Sequence, residues 1–164
     1  DVFAAASFAC QHHFSKVIGT ARPDDDDVAE IEKFALSIAH WLSKSEAKCI
    51  EHRNILADSE VKPYYIPLGE DMQPAKFLKA VPKTLEELCD GCGVCVKACP
   101  VGSISSDYMT ITGPCIKCQA CVIKCHSGAK YFDDEAFLSH VRMLENNYTK
   151  RAANFALIEK TGEV

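Results

Sequence analysis

Eight of the ten cysteines in this 164-residue chain fall in two runs with the same internal spacing. The first run is Cys89, Cys92, Cys95 and Cys99, and the second is Cys115, Cys118, Cys121 and Cys125. Each reads C-x2-C-x2-C-x3-C, and every member of the second lies 26 residues after its counterpart in the first. Four positions out of four at one offset make an internal repeat. No hydrophobic pattern in the chain constrains the fold as strongly, because the repeat demands two copies of one small unit around whatever the thiols hold.

The spacing suits an iron–sulfur cube. A [4Fe–4S] cluster needs one thiolate on each iron. Three cysteines separated by two residues each wrap a tight loop round three corners. The fourth follows three residues on, where a short helix leaves the loop, and in two-cluster proteins it ligates the other cluster. The expected ligand sets are Cys89, Cys92, Cys95 and Cys125 for one cluster and Cys99, Cys115, Cys118 and Cys121 for the other. Neither half is complete alone, so folding and cluster assembly are expected to be coupled. Gly91 and Gly93 permit the tight turn because they carry no Cβ. Val94, Val96, Ala98, Ile116, Ala120, Val122 and Ile123 are candidates for an apolar shell that keeps water from the clusters and tunes their potential. Pro100 follows Cys99, whereas His126 follows Cys125. His126 reads as a solvent-facing or packing residue, with charge tuning of the neighbouring cluster as the alternative. Structural zinc competes with this reading, but it needs only four ligands, usually two separated C-x2-C pairs. A disulfide framework fits less well in a chain this long and rich in core residues.

With 48% hydrophobic and 25% charged residues the composition is that of an ordinary soluble globular chain. The net charge is −5, and no basic tract points to nucleic acid or a membrane surface. No apolar run approaches the roughly 18 residues of a spanning helix. The opening DVFAAASFAC lacks a basic n-region and does not read as a signal peptide. Cysteine usage of this kind implies a reducing cytoplasm. Cys10 and Cys49 are left over, as buried inert cysteines or as redox thiols.

Read in order, residues 2–9 suggest a buried strand or its end. His12 and His13 have no metal-ligand spacing and read as surface or packing residues. In the segment RPDDDD, Asp24 caps a helix and the acidic run sits in its first turn, where the helix dipole favours negative charge. A calcium loop would need alternating ligands and a distal Glu, which are missing. A helix is expected over Asp25–Lys44, with Val28, Ile31, Ala35, Ile38 and Leu42 on its buried face and Phe34 and Trp41 flanking it. A short helix over Glu46–Leu56 follows. Residues 58–84, broken by Pro63, Pro67, Pro74 and Pro82, read as an extended connector that packs as it goes. Residues after Cys99 read as a hairpin turning near Ser106-Asp107, with Ile104 and Ile111 facing the clusters. Gly128–Phe132 reads as a returning strand. A helix capped by Asp133 or Asp134 and running to about Asn147 buries Phe137, Leu138, Val141 and Leu144, and a last helix spans Lys150–Lys160. The organisation expected is 1–57, 58–84 as connector, 85–133 as cluster domain and 134–164 as terminal helices.

The stretch Cys89–Phe132 resembles bacterial two-cluster ferredoxins. The segments AAASF, HHFSK, ARPDDDD, PYYIP, VPKT and CIKCQACVIKCHSGAKYFDDE together resemble the rear part of flavodoxin–ferredoxin fusion proteins of anaerobic bacteria, the EFR type. The resemblance implies an α+β fold, a two-cluster ferredoxin-like module with flanking helices, preceded by a strand–helix remnant of a flavodoxin-like α/β domain. It also implies electron exchange with a flavin domain and a partner oxidoreductase. The family usually has Pro where His126 stands. Residues 1–56 match only the last strand and helix of a flavodoxin, and no Gly/Ser/Thr-rich phosphate loop opens a helix. FMN is therefore not expected in this chain. The apolar helix face that a missing sheet leaves is expected to favour association, with the flavodoxin part or with a second copy.

These features describe an electron carrier with two [4Fe–4S] clusters and redox-protein partners. The alternatives are the electron-input piece of a reductase whose catalytic domain lies elsewhere, and a structural zinc protein. No nucleophile motif and no paired carboxylates in a plausible cleft argue for catalysis within the chain.

Overall fold

The computed structural model describes residues 4–44 and 63–158. Their order is β1 (Ala4–Ser7), α1 (Asp25–Lys44), β2 (Lys83–Thr84), a 3-10 turn (Glu86–Leu88), α2 (Val94–Ala98), α3 (Ala120–Ile123), β3 (Lys130–Tyr131), α4 (Glu135–Asn147) and β4 (Phe155–Ile158). Helices and short antiparallel ladders make an α+β chain. No described helix is long and apolar enough to cross a membrane. The expected Glu46–Leu56 helix and Cys49 lie outside the described residues. The chain forms two compact units: one from Asp1–His12, Gly19–Tyr64 and Lys150–Val164, the other from His13–Ile18 and Tyr65–Thr149. This division differs from the expected order of segments, because the end of the chain joins the first unit and most of the connector joins the second.

In the first unit, β1 pairs antiparallel with β4, Ala4 opposite Ile158 through Ser7 opposite Phe155. The terminal helix expected over Lys150–Lys160 is thus corrected to a strand. A segment this short is below the length at which helix nucleation is repaid, and β1 offers it a ladder instead. Nor is β1 buried, for Ala6 and Ser7 face solvent.

Helix α1 runs over the expected residues, but its covered face is rotated by one position. Asp27 and Trp41 are buried and Ile31, Phe34 and Ile38 half-buried, whereas Val28, Ala35 and Leu42 are exposed. Phe34 meets the Phe8 ring edge-on at 6.0 Å. The rotation follows from a polar knot at the start of the helix. Asp27 is fully buried. Its carboxylate accepts both Nε of Arg22, at 2.8 Å, and Nη2 of Arg22, the two-point fork that suits a guanidinium. Asn154 Nδ2 (2.7 Å) and Arg151 Nη2 (3.2 Å) donate to it as well. Asp24 and Asp27 exchange backbone-to-carboxylate hydrogen bonds of 3.0 and 3.1 Å, a reciprocal cap of the kind seen with Ser and Glu. Asp24 therefore caps the helix as expected. Periodicity counts apolar residues only and so cannot show an acid turned inward.

In the second unit the core is Ala80, Phe137 and Val141, with Phe14, Phe77, Phe132 and Leu138 packed on it. Phe137 meets Phe14 and Phe77 edge-on at 5.3 and 5.4 Å. Asp134 caps α4 by accepting the Phe137 N–H at 2.9 Å. The connector packs along α4: His140 Nδ1 lies 2.7 Å from the Leu68 carbonyl, and its ring stacks on Phe77. Tyr64, Tyr65 and Ile66, by contrast, are exposed.

Two predictions arise from these cores. Phe137→Ala should cost about 3–5 kcal/mol, the usual range for an aromatic removed from a core, read as a lower urea midpoint of the intact protein. The Arg22 hydrogen bond holds the Asp27 carboxyl far below the ordinary carboxylate range. Its folded pKa lies below the unfolded value of about 3.9. The stability it contributes is therefore complete above that pH and is lost as the pH falls toward the folded value. Thermal unfolding from pH 7 to pH 2 should show this loss in the wild type, and Asp27→Asn should flatten it.

Candidate metal centre

The two cysteine runs build the same backbone twice. Gly91 and Gly93 have φ of +71° and +70°, and the residues 26 positions later, Lys117 and Gln119, have φ of +58° and +61°. Gly93 and Gln119 open the short helices α2 and α3. After each helix the chain turns again, with Gly102 N–H bonded to the Cys99 carbonyl at 3.2 Å and Gly128 N–H to the Cys125 carbonyl at 3.1 Å. Left-handed backbone favours glycine, yet the second half adopts it with Lys and Gln.

Two cavities result. The first has Cys89, Cys92, Cys95 and Cys125 in its wall, with Gly93, Tyr108, Ala129 and Lys130. The second has Cys99, Cys115, Cys118 and Cys121, with Ile104, Ile111, Gln119 and Phe132. Each therefore takes three cysteines from one run and one from the other. They enclose about 300 and 360 Å³ of space between atoms, part of it open to solvent. The buried residues between them are Cys95, Ile104 and Cys121, with Val96, Tyr108, Ile111 and Val122 packed against them.

The fourth cysteine of each run sits in a nest of amides. Burial opposes ionisation of Cys99, but backbone N–H groups of Ser103, Val101, Gly102 and Ile104 outweigh it and lower its pKa. The Ser103 N–H lies 3.2 Å from Cys99 Sγ. At Cys125 burial is likewise outweighed, by the Ser127 hydroxyl and the N–H groups of Lys130, Ala129 and Ser127. Cys121 is the opposite case. Burial pushes its thiol up to about 11, the Lys130 charge works against this, and Cys115 and Cys118 add to it. A bound cation is what turns such a thiol into a thiolate. Gln119 supplies a second sign: its Nε2 is buried in the wall of the second cavity, with no acceptor among the described residues. The sulfides of an iron–sulfur cluster are acceptors of the right kind. The donors and the orphaned amide fit a [4Fe–4S] cluster.

Ile104 and Ile111 form the expected bridge and both line the second cavity. The hairpin turn is tied by Asp107, whose carboxylate accepts Met109 N–H at 2.8 Å and Thr110 N–H at 2.9 Å. It places the Tyr108 ring 3.5 Å from where a Cβ on Gly91 or Gly93 would stand. The returning strand is β3, paired with β2. The expected apolar shell is corrected at Ile123, which is 61% exposed and stands in neither wall, whereas Val94 stands in the wall of the first cavity and Ile116 in that of the second. Pro82, Ile104 and Phe132 join Ile116 in the second wall, and Tyr108 joins Val94 in the first. His126 faces solvent, its Nε2 2.8 Å from Asp90 Oδ2. Cys10 is exposed, not buried. Lys130, Tyr108 and Gln119 went unread because no local motif marks them, although the offset of 26 residues pairs Gln119 with Gly93.

Residues 82–105 match a family model described as a 4Fe-4S binding domain, and residues 112–130 match a second with the same description. The module is ferredoxin-like. No curated protein and no solved structure matched the chain. The ferredoxin-like module carries iron–sulfur chemistry, electron transfer through [4Fe–4S] clusters.

Gly93→Ala should destabilise the module by about 1–2 kcal/mol. The Tyr108 contact is ordinary in length, so the cost comes from the left-handed backbone, and a lower unfolding midpoint would measure it.

Proposed function

We propose that the chain relays electrons through two [4Fe–4S] clusters with crossed ligands. Cys89, Cys92, Cys95 and Cys125 would hold one, and Cys99, Cys115, Cys118 and Cys121 the other. The observation that carries this reading is the wall of each cavity, which contains those four cysteines and none of the other four. Each bound cluster supplies one-electron chemistry at low potential. The chain's own residues do the rest. The amide nests at Cys99 and Cys125 stabilise thiolate sulfur. Ile104, Ile111 and Phe132 exclude water from the second site, and Tyr108 covers the glycine turn of the first. Buried apolar walls and N–H groups aimed at sulfur are the protein's means of setting such potentials.

The donor we propose is a flavin domain of the kind that precedes the module in the resembled fusion proteins, and the acceptor an oxidoreductase. That choice rests on the resemblance of segments such as AAASF and ARPDDDD; in the first unit β1 precedes α1 and pairs antiparallel with β4.

Iron and acid-labile sulfide analysis of anaerobically purified protein should give about eight of each, with a spin-coupled resonance signal after dithionite reduction. Zinc without sulfide would overturn the reading. Crossing has its own test. With crossed ligands, Cys99→Ser combined with Cys115→Ser damages one site and leaves about four irons, whereas Cys99→Ser with Cys89→Ser damages both. The reverse pattern would mean that each run holds its own cluster.

A further inference from the structure

The two halves repeat their backbone but not their charge. Position 104 of the first half corresponds to position 130 of the second, and both are buried, at 5% and 3% exposure. Ile104 stands in the wall of the second cavity and Lys130 in the wall of the first. A buried ammonium is costly unless an opposite charge answers it. The Nζ of Lys130 donates to Thr84 Oγ1 at 2.6 Å and to the Tyr108 carbonyl. Both acceptors are neutral, and among the described residues no carboxylate pairs with it. It shares its cavity wall with sulfur. Cys89, Cys92, Cys95 and Cys125 line the same cavity, and its charge also works on Cys121, in the wall of the second.

We propose that Lys130 is the fixed counter-charge of the reduced module, raising the reduction potential at both sites and more strongly at the site of Cys89, Cys92, Cys95 and Cys125. This rests on the two-cluster reading above. One electron taken from a low-potential donor adds one negative charge to a site and no proton moves, so a cation in the wall favours the reduced form by Coulomb attraction in a medium that screens poorly. The site with the lysine is then the more easily reduced of the two, and an electron arriving at the other runs toward it. Thr84 and the Tyr108 carbonyl hold the ammonium in place, and the Asp107 turn holds Tyr108.

The test is an anaerobic redox titration followed by electron paramagnetic resonance, on wild type, Lys130→Gln, Lys130→Met and Lys130→Arg, each with its iron counted. Lys130→Gln keeps N–H donors for Thr84 and Tyr108 but loses the charge. Its higher midpoint should fall by about 59 mV, a tenfold weaker hold on the electron, and the lower one by less. Lys130→Arg should restore the wild-type midpoints, and Lys97→Met, which removes an exposed lysine, should leave them in place. Fully loaded Lys130→Gln or Lys130→Met with wild-type midpoints would overturn the proposal, as would Lys130→Arg shifting as Lys130→Gln does. Should neither charge-free variant load iron while Lys130→Arg does, the charge serves assembly rather than potential, and the proposal also fails. Wild-type protein without two clusters would instead sink the functional reading itself.

Discussion

The ferredoxin-like module depends on an exchange between its halves: each cavity takes its fourth cysteine from the other half of the repeat. The helices between are single turns, five residues in α2 and four in α3, far below the length at which a helix holds itself. The ladder of β2 with β3 joins two residues to two. The apolar centre consists of Cys95, Cys121 and Ile104, so two of its three buried residues are themselves cavity cysteines. A region with so little core of its own is stabilised by what its thiols bind, because binding free energy and folding free energy are then one quantity.

The first unit meets the same shortage in a different way. A two-stranded ribbon and one helix bury little apolar area, and Leu42 and Val28 stay exposed. The segments are tied by charge instead: Arg22, Asp27, Asn154, Asp24 and Arg151 form one hydrogen-bonded knot joining the start of α1 to the approach to β4. Buried ion pairs of this kind add less net stability than apolar packing, but breaking one partner away is expensive. Such a knot therefore specifies one arrangement more than it deepens it.

These differences explain what could be read in advance. The cysteine repeat, α1, the cap at Asp24, the hairpin at Asp107 and the helix from Glu135 are local patterns, in which residues a few positions apart decide the outcome. The C-terminal strand was misread because its partner β1 lies some 150 positions earlier, and a four-residue segment takes its conformation from that partner. The inward turn of Asp27 depends on Arg151 and Asn154, equally remote in sequence. Around the cavities the cysteines were legible. The walls were legible only in part: Val94, Ile104, Ile111 and Ile116 were expected there, whereas Pro82, Tyr108, Phe132 and Lys130 come from segments that only the fold brings to the cavities.

Where the two halves differ, they differ in side chains on a shared backbone. Left-handed positions hold Gly91 and Gly93 in one half and Lys117 and Gln119 in the other. Pro100 answers to His126, and Ile104 to Lys130. Had the repeat served only to hold two equal groups, glycine would suit both left-handed turns better than lysine or glutamine, by the cost of a Cβ in that region. The second half bears that cost, and Gln119 brings an amide to a cavity wall where it has no acceptor among the described residues. Lys130 brings a cation to the other. Both bring a nitrogen donor, one neutral and one charged, to a cavity wall that contains four cysteines. On a duplicated backbone these donors make the two cavity walls electrostatically unlike, and under the two-cluster reading proposed above that difference would give an electron a preferred site.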